Sequence, residues 1–423
     1  MKQQRKINLL IAIAALGYFV DIYDLILFNV IKKDSLISLG FTDAKELQNL
    51  GIRLFNWQMG GMLIGGLLWG ILGDKKGRVQ VLFGSILMYS VANIANAFVS
   101  DINTYAAIRF IAGIGLAGEL GAGITLISEV MPKNKRGIGT MIIVSFGALG
   151  AVLAAFVGSK GNAIAQWFES AIGISLLNWQ VAYIIGGILG LMLLIVRMGA
   201  LESDLFKNLH KQNTKKGDFM SLIKLPHLRS KYIRCILIGL PIWYVVGILV
   251  ALSDPISKSL GVNGIVITGS AVMYSYIGLS VGDVISGLLS QWLQSRKKVV
   301  IIYLIACIAV SLAYFFTTRG KSVEYFYFLC FMLGAASGFW ALFVTIAAEQ
   351  FGTNIRSTVA TTSPNFVRGA VIPITESFRF LDAQLGATTA GLIVGAVCIG
   401  LSFWAVNSIE ESFSKDLNYL ETM

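Results

Sequence analysis

Charged residues are scarce in this chain. Asp, Glu, Lys and Arg together make up 13% of its 423 residues, about half of the ~25% that is usual for a soluble protein. Histidine occurs twice, as His210 and His227, and both fall in the most polar stretch. The four cysteines lie inside apolar runs and lack the spacing of metal ligands. These shortages predict a protein that is not an enzyme and that binds no metal ion and no cofactor.

Apolar residues, by contrast, make up 56% of the chain. They gather in about twelve blocks of roughly 20 residues, the length that a helix needs to cross the hydrocarbon core of a bilayer. The blocks lie near residues 7–31, 51–72, 80–99, 104–130, 138–158, 178–199, 233–253, 267–290, 299–317, 324–348, 357–381 and 386–406. The first block has no signal-peptide cleavage site and is expected to be retained. The sequence therefore predicts an all-α membrane protein with twelve transmembrane helices.

The formal net charge of +11 is distributed in a way that favours a lipid bilayer, not nucleic acid, as the partner. Basic clusters precede the first block and follow the second, fourth and eighth blocks, so they fall on one side if the blocks alternate in direction. The clusters are Lys2, Arg5 and Lys6; Lys75, Lys76 and Arg78; Lys133, Lys135 and Arg136; and Arg296, Lys297 and Lys298. The positive-inside rule makes that side cytoplasmic. We expect a multi-pass protein of the bacterial inner membrane with both termini in the cytoplasm.

The chain also repeats itself in two halves. At one constant offset, Gly118 aligns with Gly338, Glu129 with Glu349, and Arg136 with Arg356. A parallel repeat of six-helix units is typical of transporters that rock two halves about a central site. The repeat predicts two pseudo-symmetric six-helix bundles, at residues 1–200 and 233–406, joined by a basic cytoplasmic linker at 201–232. Residues 407–423 are predicted to form a cytoplasmic tail.

Two motifs resemble those of the major facilitator superfamily. The segment Gly70-Ile-Leu-Gly-Asp74-Lys-Lys-Gly77-Arg78 resembles its loop between the second and third helices, with Val79 in place of a second cation. Arg109-x3-Gly113-x-Gly115-x2-Gly118-Glu119 resembles its fourth-helix motif. The resemblance implies a fold of two six-helix bundles and a set of cytoplasmic gate residues. The implied gate residues are Gly70, Asp74, Gly77, Arg78, Glu129, Arg136, Glu349 and Arg356.

Asp21 and Asp24 interrupt the first apolar block. A charge at membrane depth is costly unless it is paired or faces water, so it indicates function. At a rise of ~1.5 Å per residue, Asp24 and Arg109 reach similar depths from opposite sides of the membrane. We therefore expect Arg109 to pair with one of the two aspartates. The open alternative is that these residues form a purely structural ion pair.

A second resemblance concerns the same helix. The Asp21-Ile-Tyr-Asp24 segment resembles the Asp-Gly-[Tyr/Phe]-Asp signature of aromatic-acid and organic-acid proton symporters, with Ile22 in place of glycine. This resemblance implies proton coupling by Asp21 and Asp24. The Gly-x-Gly-x-x-Gly-Glu pattern of the fourth block resembles that of metabolite–proton symporters and adds Glu119, while Arg109 is the cation that we expect beside the aspartates. A structural or gating role for Glu119 stays open.

The second half offers a cation instead. Arg368 lies near the middle of the eleventh block, bracketed by Pro364 and Gly369, where we expect a bent or unwound helix. An arginine at that depth is suited to binding a carboxylate through two hydrogen bonds. We predict that the substrate contacts are Arg368, Asn365, Trp243, Tyr244 and Trp340. The alternative is that an internal acid, such as Asp283 or Glu376, holds Arg368.

These observations predict a monomeric, proton-coupled secondary active transporter that imports a small carboxylate-bearing metabolite by alternating access. A proton-antiport exporter of drugs, siderophores or metabolites is the main alternative on the same fold. A sensor or channel is disfavoured, since no signalling domain or selectivity filter is recognisable. An ATP site is also disfavoured, because Phe315 stands where the first glycine of a phosphate-binding loop ending at Gly320-Lys321-Ser322 would be.

Overall fold

The structure is a computed structural model that describes residues 2–76, 78–121, 123–124, 136–201, 219–352, 354–413, 415 and 421. These residues form helices and no strand, apart from one isolated bridge between Asn263 and Ser322. The helices are α1 (Lys2–Ser38), α2 (Ala44–Lys76), α3 (Arg78–Asn96), α4 (Ile102–Leu116), α5 (Arg136–Ser159), α6 (Gly161–Ile172), α7 (Asn178–Leu201), α8 (Phe219–Lys224), α9 (Pro226–Tyr244), α10 (Ser253–Ser259), α11 (Thr268–Leu293), α12 (Arg296–Thr317), α13 (Val323–Ser337), α14 (Trp340–Glu349), α15 (Arg356–Gly369), α16 (Val371–Leu385) and α17 (Ala387–Ser408). The all-helical prediction is confirmed.

In the described part of the chain, each of the twelve predicted blocks falls on one of these helices or on two in succession. Within the described residues, eight segments are long and apolar enough to cross a membrane by length and composition. The other four blocks fall on α2, α3, α4 and the α15–α16 pair, which are less apolar or shorter in their described part. Helix α6, between the fifth and sixth blocks, was not predicted.

The helices form two bundles, which meet along two helix pairs. In the first bundle, α1 packs on α5 and α2 packs on α4. In the second bundle, α11 packs on α13 and α9 packs on α17. The bundles contact each other mainly through α5 against α11 and α2 against α15. The bounds of the two halves stay a prediction. Residues 202–218 of the predicted linker lie outside the described part, while α8 and the start of α9 occupy its remainder.

Glycines allow matching close approaches in the two bundles. A side chain at Gly113 of α4 would collide with the backbone oxygen of Gln58 on α2. A side chain at Gly334 of α13 would collide with the backbone oxygen of Ser275 on α11. Close packing of helix backbones substitutes for the hydrophobic effect inside a bilayer, where lipid tails are as apolar as the helices.

Three interruptions shape the second bundle near its centre. Helix α9 continues as a π-helical turn at Val245–Val250, four residues after Pro241. The tenth block divides between α13 and α14 at Gly338 and Phe339, and the eleventh divides at Ala370. The last of these follows Gly369 directly, at the place where Pro364 and Gly369 predict a bent or unwound helix, and Ala370 itself keeps a helical backbone conformation. The break at Ala370 keeps its backbone hydrogen bonds, since its N–H donates to the Phe366 oxygen at 2.9 Å and its oxygen accepts from the Ile374 N–H at 3.1 Å.

Candidate functional site

A narrow cavity lies between the two bundles at the middle of the structure. Its volume is about 20 Å³, room for about one water molecule. It is lined by Tyr18, Ile22, Val144, Ala148, Ile242, Trp243, Val246, Tyr276, Leu279, Trp340 and Arg368. Both bundles contribute, so a change in their relative position changes the cavity. Three predicted substrate contacts, Arg368, Trp243 and Trp340, are brought together here.

Arg368 meets an acid of the other bundle beside this cavity. Its Nη2 lies 3.8 Å from Oδ2 of Asp21, and both side chains are at most 1% exposed. Neither carboxylate oxygen of Asp21 accepts a hydrogen bond from any described group, and Nε and Nη2 of Arg368 donate none. The charges attract each other without hydrogen bonds, which is the weak form of a buried ion pair. Two donors of the guanidinium therefore remain available.

The rest of the Arg368 environment comes from predicted residues. Its Nη1 donates to Oδ1 of Asn365 at 3.3 Å, and its guanidinium lies 5.7 Å from the ring centre of Trp340. The amide of Asn365 donates to the Ala117 carbonyl of the first bundle at 2.8 Å. Trp340 packs edge-on against Trp243, with 6.5 Å between ring centres. Asn365 thus links the arginine to both bundles.

Tyr244, also predicted as a substrate contact, lies apart from the cavity. Its hydroxyl donates to the Gly391 carbonyl at 2.9 Å, inside the second bundle. The two aromatic residues that take its place in the lining are Tyr18 and Tyr276, which the sequence analysis did not select. A tyrosine three residues before Asp21 on the same helix was an available signal for the first of these.

Arg109 has different partners from those expected. It donates to Oε1 of Gln58 and stacks 4.6 Å above the ring centre of Phe28. It forms no ion pair within 4.0 Å with either aspartate in the described part of the chain. Asp24 packs against α7, where a side chain at Gly186 would collide with its Oδ1. Residues three apart on a helix differ by about 60° in direction, and this difference sends Asp21 to the other bundle and keeps Asp24 within its own.

Glu119 belongs to a buried ion pair that the sequence analysis missed. Arg197 of α7 binds its carboxylate at two points, with Nη1 donating to Oε2 at 2.9 Å and Nη2 to Oε1. The arginine and glutamate side chains are 4% and 1% exposed. Gly17 of α1 packs directly on the pair, one turn from Asp21. Arg197 lies in the sixth apolar block, and a cation in such a block was a usable signal.

Asp283 and Glu376, the alternative partners considered for Arg368, contact other groups. Oδ1 of Asp283 accepts the backbone N–H of Ala341 at 3.0 Å, which caps the start of α14. Glu376 accepts from Asn56 at 3.0 Å and lies 3.5 Å from Arg379. The internal acid that meets Arg368 is Asp21.

The predicted cytoplasmic gate is described only in part. For five of the gate residues, either the whole residue or its side chain lies outside the described part of the chain. They are Asp74, Gly77, Arg78, Glu129 and Arg136. Gly70 faces α15 of the other bundle, because a side chain there would lie 3.4 Å from Thr362. Glu349 pairs with Arg296 at 3.3 Å, and Nε of Arg356 donates to the Ala348 carbonyl. The gate function of these residues stays a prediction.

Comparisons with known proteins match this chain to one family over most of its length. The family model described as Major Facilitator Superfamily matches residues 14–374. The chain is 26% identical over 379 residues to the putative niacin/nicotinamide transporter of Bacillus subtilis, covering 86% of this chain and 85% of that protein. It is 24% identical over 398 residues to the probable 4-methylmuconolactone transporter of Cupriavidus pinatubonensis, covering 93% and 87%. Over 157 residues, 37% of this chain and 32% of the relative, it is 30% identical to the 4-hydroxybenzoate transporter of Pseudomonas putida.

Two solved structures share the fold. One is the proton:xylose symporter XylE bound to 6-bromo-6-deoxy-D-glucose, with a TM-score of 0.71, 15% identity and 98% coverage of each chain. The other is the transporter FucP in the outward conformation, with a TM-score of 0.68, 14% identity, and coverage of 94% of this chain and 97% of that chain.

Proposed function

We propose that this chain, which belongs to the major facilitator superfamily, imports a small carboxylate-bearing metabolite together with a proton. Membership makes it a membrane transporter, and not an enzyme. We further place it in a bacterial inner membrane as a monomer with both termini in the cytoplasm, on the strength of the basic clusters at alternate loops.

The observation that carries the proposal is the ion pair between Asp21 and Arg368 at the central cavity. A substrate carboxylate can take two charge-assisted hydrogen bonds from the free donors of Arg368. Asp21 accepts no hydrogen bond from Arg368 at 3.8 Å, so the substrate carboxylate is the better partner and displaces it. The two carboxylates therefore compete for one guanidinium.

This competition supplies a coupling mechanism. A buried carboxylate that loses its counter-ion favours the protonated form. Asp21 then takes a proton from the solution as the substrate carboxylate takes Arg368. The loaded cavity holds one added proton and one substrate anion, so its net charge equals that of the empty cavity. Release of both to the cytoplasm lets Asp21 ionise and return to Arg368.

The cavity wall favours a planar, ring-bearing acid. Trp243, Trp340, Tyr18 and Tyr276 surround the arginine, and flat aromatic surfaces stack on one another at their edges and faces. Two of the relatives' names include an aromatic carboxylic acid, niacin in one and 4-hydroxybenzoate in the other. Rearrangement of the two bundles is needed to admit such a ligand, because the cavity of about 20 Å³ holds roughly one water molecule.

Binding to the purified protein tests the substrate class. Intrinsic tryptophan fluorescence, to which Trp243 and Trp340 at the cavity contribute among eight tryptophans, measures binding. Niacin and 4-hydroxybenzoate are the test ligands, and nicotinamide is the uncharged counterpart of niacin. We expect the acids to bind and nicotinamide to fail, and Arg368→Gln to abolish binding. Arg379→Gln, which alters a half-exposed arginine on α16, is the matched control. Equal binding of niacin and nicotinamide, or binding that survives Arg368→Gln, would overturn the carboxylate assignment.

Uptake into proteoliposomes tests direction and coupling. With an alkaline interior, a proton symporter accumulates the acid above its external concentration. A proton antiporter instead accumulates it when the interior is acidic. Accumulation only with an acidic interior would contradict the proposed import and identify the protein as an exporter.

A further inference from the structure

Lys32 joins the two bundles at the end of the structure where α1 ends. Its Nζ donates to the backbone oxygen of Ala251 at 3.0 Å. Lys32 belongs to α1 of the first bundle, and Ala251 follows the π-helical turn of the second. This contact is therefore a direct charged hydrogen bond across the interface that must open if this end is to admit solute.

The Ala251 carbonyl is available because of the local sequence. In a continuing α-helix it would accept the N–H four residues later, but that residue is Pro255, which has no N–H. The π-helical turn adds to the irregularity, since the N–H of Ala251 donates five residues back, to Val246. An unsatisfied carbonyl at membrane depth is costly, and the ammonium group of Lys32 satisfies it.

The surroundings hold the lysine in this position. A side chain at Gly51 of α2 would lie 3.4 Å from Cδ of Lys32, so the methylene chain packs on that helix. Asp254 attracts the ammonium group and is itself paired with Lys258 at 2.9 Å. Two residues before Lys32, Val30 packs close to α11, because a side chain added at Gly269 would lie 3.0 Å from it. The two bundles are thus in contact around Lys32.

We propose that Lys32 is a latch that keeps this end of the transport pathway, the predicted outer end, closed by binding the carbonyl that Pro255 leaves free. The proposal rests on the alternating access of the proposed function. When the bundles separate, the ammonium group moves away from both Ala251 and Asp254 and into water, while the carbonyl binds water. Loss of a hydrogen bond to a charged group is expected to shift the closed-to-open ratio about tenfold toward open.

Distances between spin labels across this end test the latch without any substrate. The labels are attached through Ile37→Cys on the first bundle and Ile265→Cys on the second, which are 45% and 82% exposed. The four native cysteines are buried and free. In the full chain in lipid nanodiscs, Lys32→Met should raise the ratio of long-distance to short-distance populations about tenfold. Lys33→Met, which removes an exposed neighbouring charge, should leave the ratio unchanged.

A second variant keeps the test independent of damage from Lys32→Met. Pro255→Ala gives the Ala251 carbonyl a backbone donor within its own bundle, so it should raise the same ratio. Because both changes remove one contact, the double variant should open no further than Lys32→Met alone. Unchanged distances in Lys32→Met, an equal shift in Lys33→Met, or additive shifts in the double variant would each overturn the latch. None of these results depends on which solute binds Arg368, so failure of the latch and failure of the proposed substrate class are separate outcomes.

Discussion

Arg197 binds Glu119 at two points inside the first bundle, whereas the pair formed by Asp21 and Arg368 has no hydrogen bond. The first pair joins α7 to a residue just beyond α4 of the same bundle. The second joins two bundles that move relative to each other in the proposed cycle. A firmly bonded pair suits a fixed contact, and a loosely attracted pair suits one that must break.

The Arg197 and Glu119 pair should therefore govern stability. Removing one partner of a buried pair leaves an uncompensated charge and costs about 3–5 kcal/mol. We expect Arg197→Met to lower the apparent melting temperature of the purified protein strongly. The double variant Arg197→Met/Glu119→Leu should recover part of the loss, because no buried charge remains. A double variant that melts at or below Arg197→Met would show that the loss does not come from an uncompensated buried charge on Glu119.

Asp21→Asn should separate binding from coupling. An asparagine side chain does not take up or release a proton as a carboxylate does, and it no longer competes as an anion for Arg368. Exchange of labelled for unlabelled acid across proteoliposomes should persist, while accumulation driven by a pH gradient should fall to the level seen without a gradient. Asp24→Asn is the comparison within the same helix, since Asp24 faces α7 and not Arg368. Full gradient-driven accumulation by Asp21→Asn would assign the proton to another group.

The two aromatic residues Trp340 and Tyr244 should behave differently. Trp340 contacts both Arg368 and the cavity, and an aromatic face with a cation contributes about 0.5–2 kcal/mol. Trp340→Ala should therefore weaken binding of the acid roughly tenfold. Tyr244→Phe removes the hydrogen bond to Gly391 and should cost about 1 kcal/mol of stability with the dissociation constant unchanged. Titration of each variant with 4-hydroxybenzoate measures the two dissociation constants, and thermal unfolding measures the stability of Tyr244→Phe.

Asp283 should act through the start of α14. Its carboxylate caps Ala341 next to Trp340, and loss of a helix cap costs about 0.5–2 kcal/mol. Asp283→Ala should lower both the melting temperature and the affinity for the acid, because Trp340 loses its fixed position. Asp283→Asn keeps an acceptor oxygen and should stay close to the parent protein in both measurements. Equal loss in the two variants would point to the charge of Asp283, not to its hydrogen bond.

Sequence by itself determined the number and approximate positions of the membrane helices, because a helix that crosses hydrocarbon needs a continuous apolar run of fixed length. It also identified Asp21, Arg368 and Glu119 as noteworthy, because a charged residue in such a run is costly. The interruption at Pro364 and Gly369 was likewise visible, since proline and glycine act on the backbone where they stand.

Only the tertiary structure decided which charges meet. Arg109 and Asp24 reach similar depths, but depth does not fix the direction in which a side chain points around its helix. That direction follows from the packing of helices remote in sequence, which brings Asp21 to Arg368, Arg197 to Glu119 and Lys32 to Ala251. Tyr244 is a second example. It is next to Trp243 in the sequence, but the rotation of the helix by one residue turns its side chain away from the cavity.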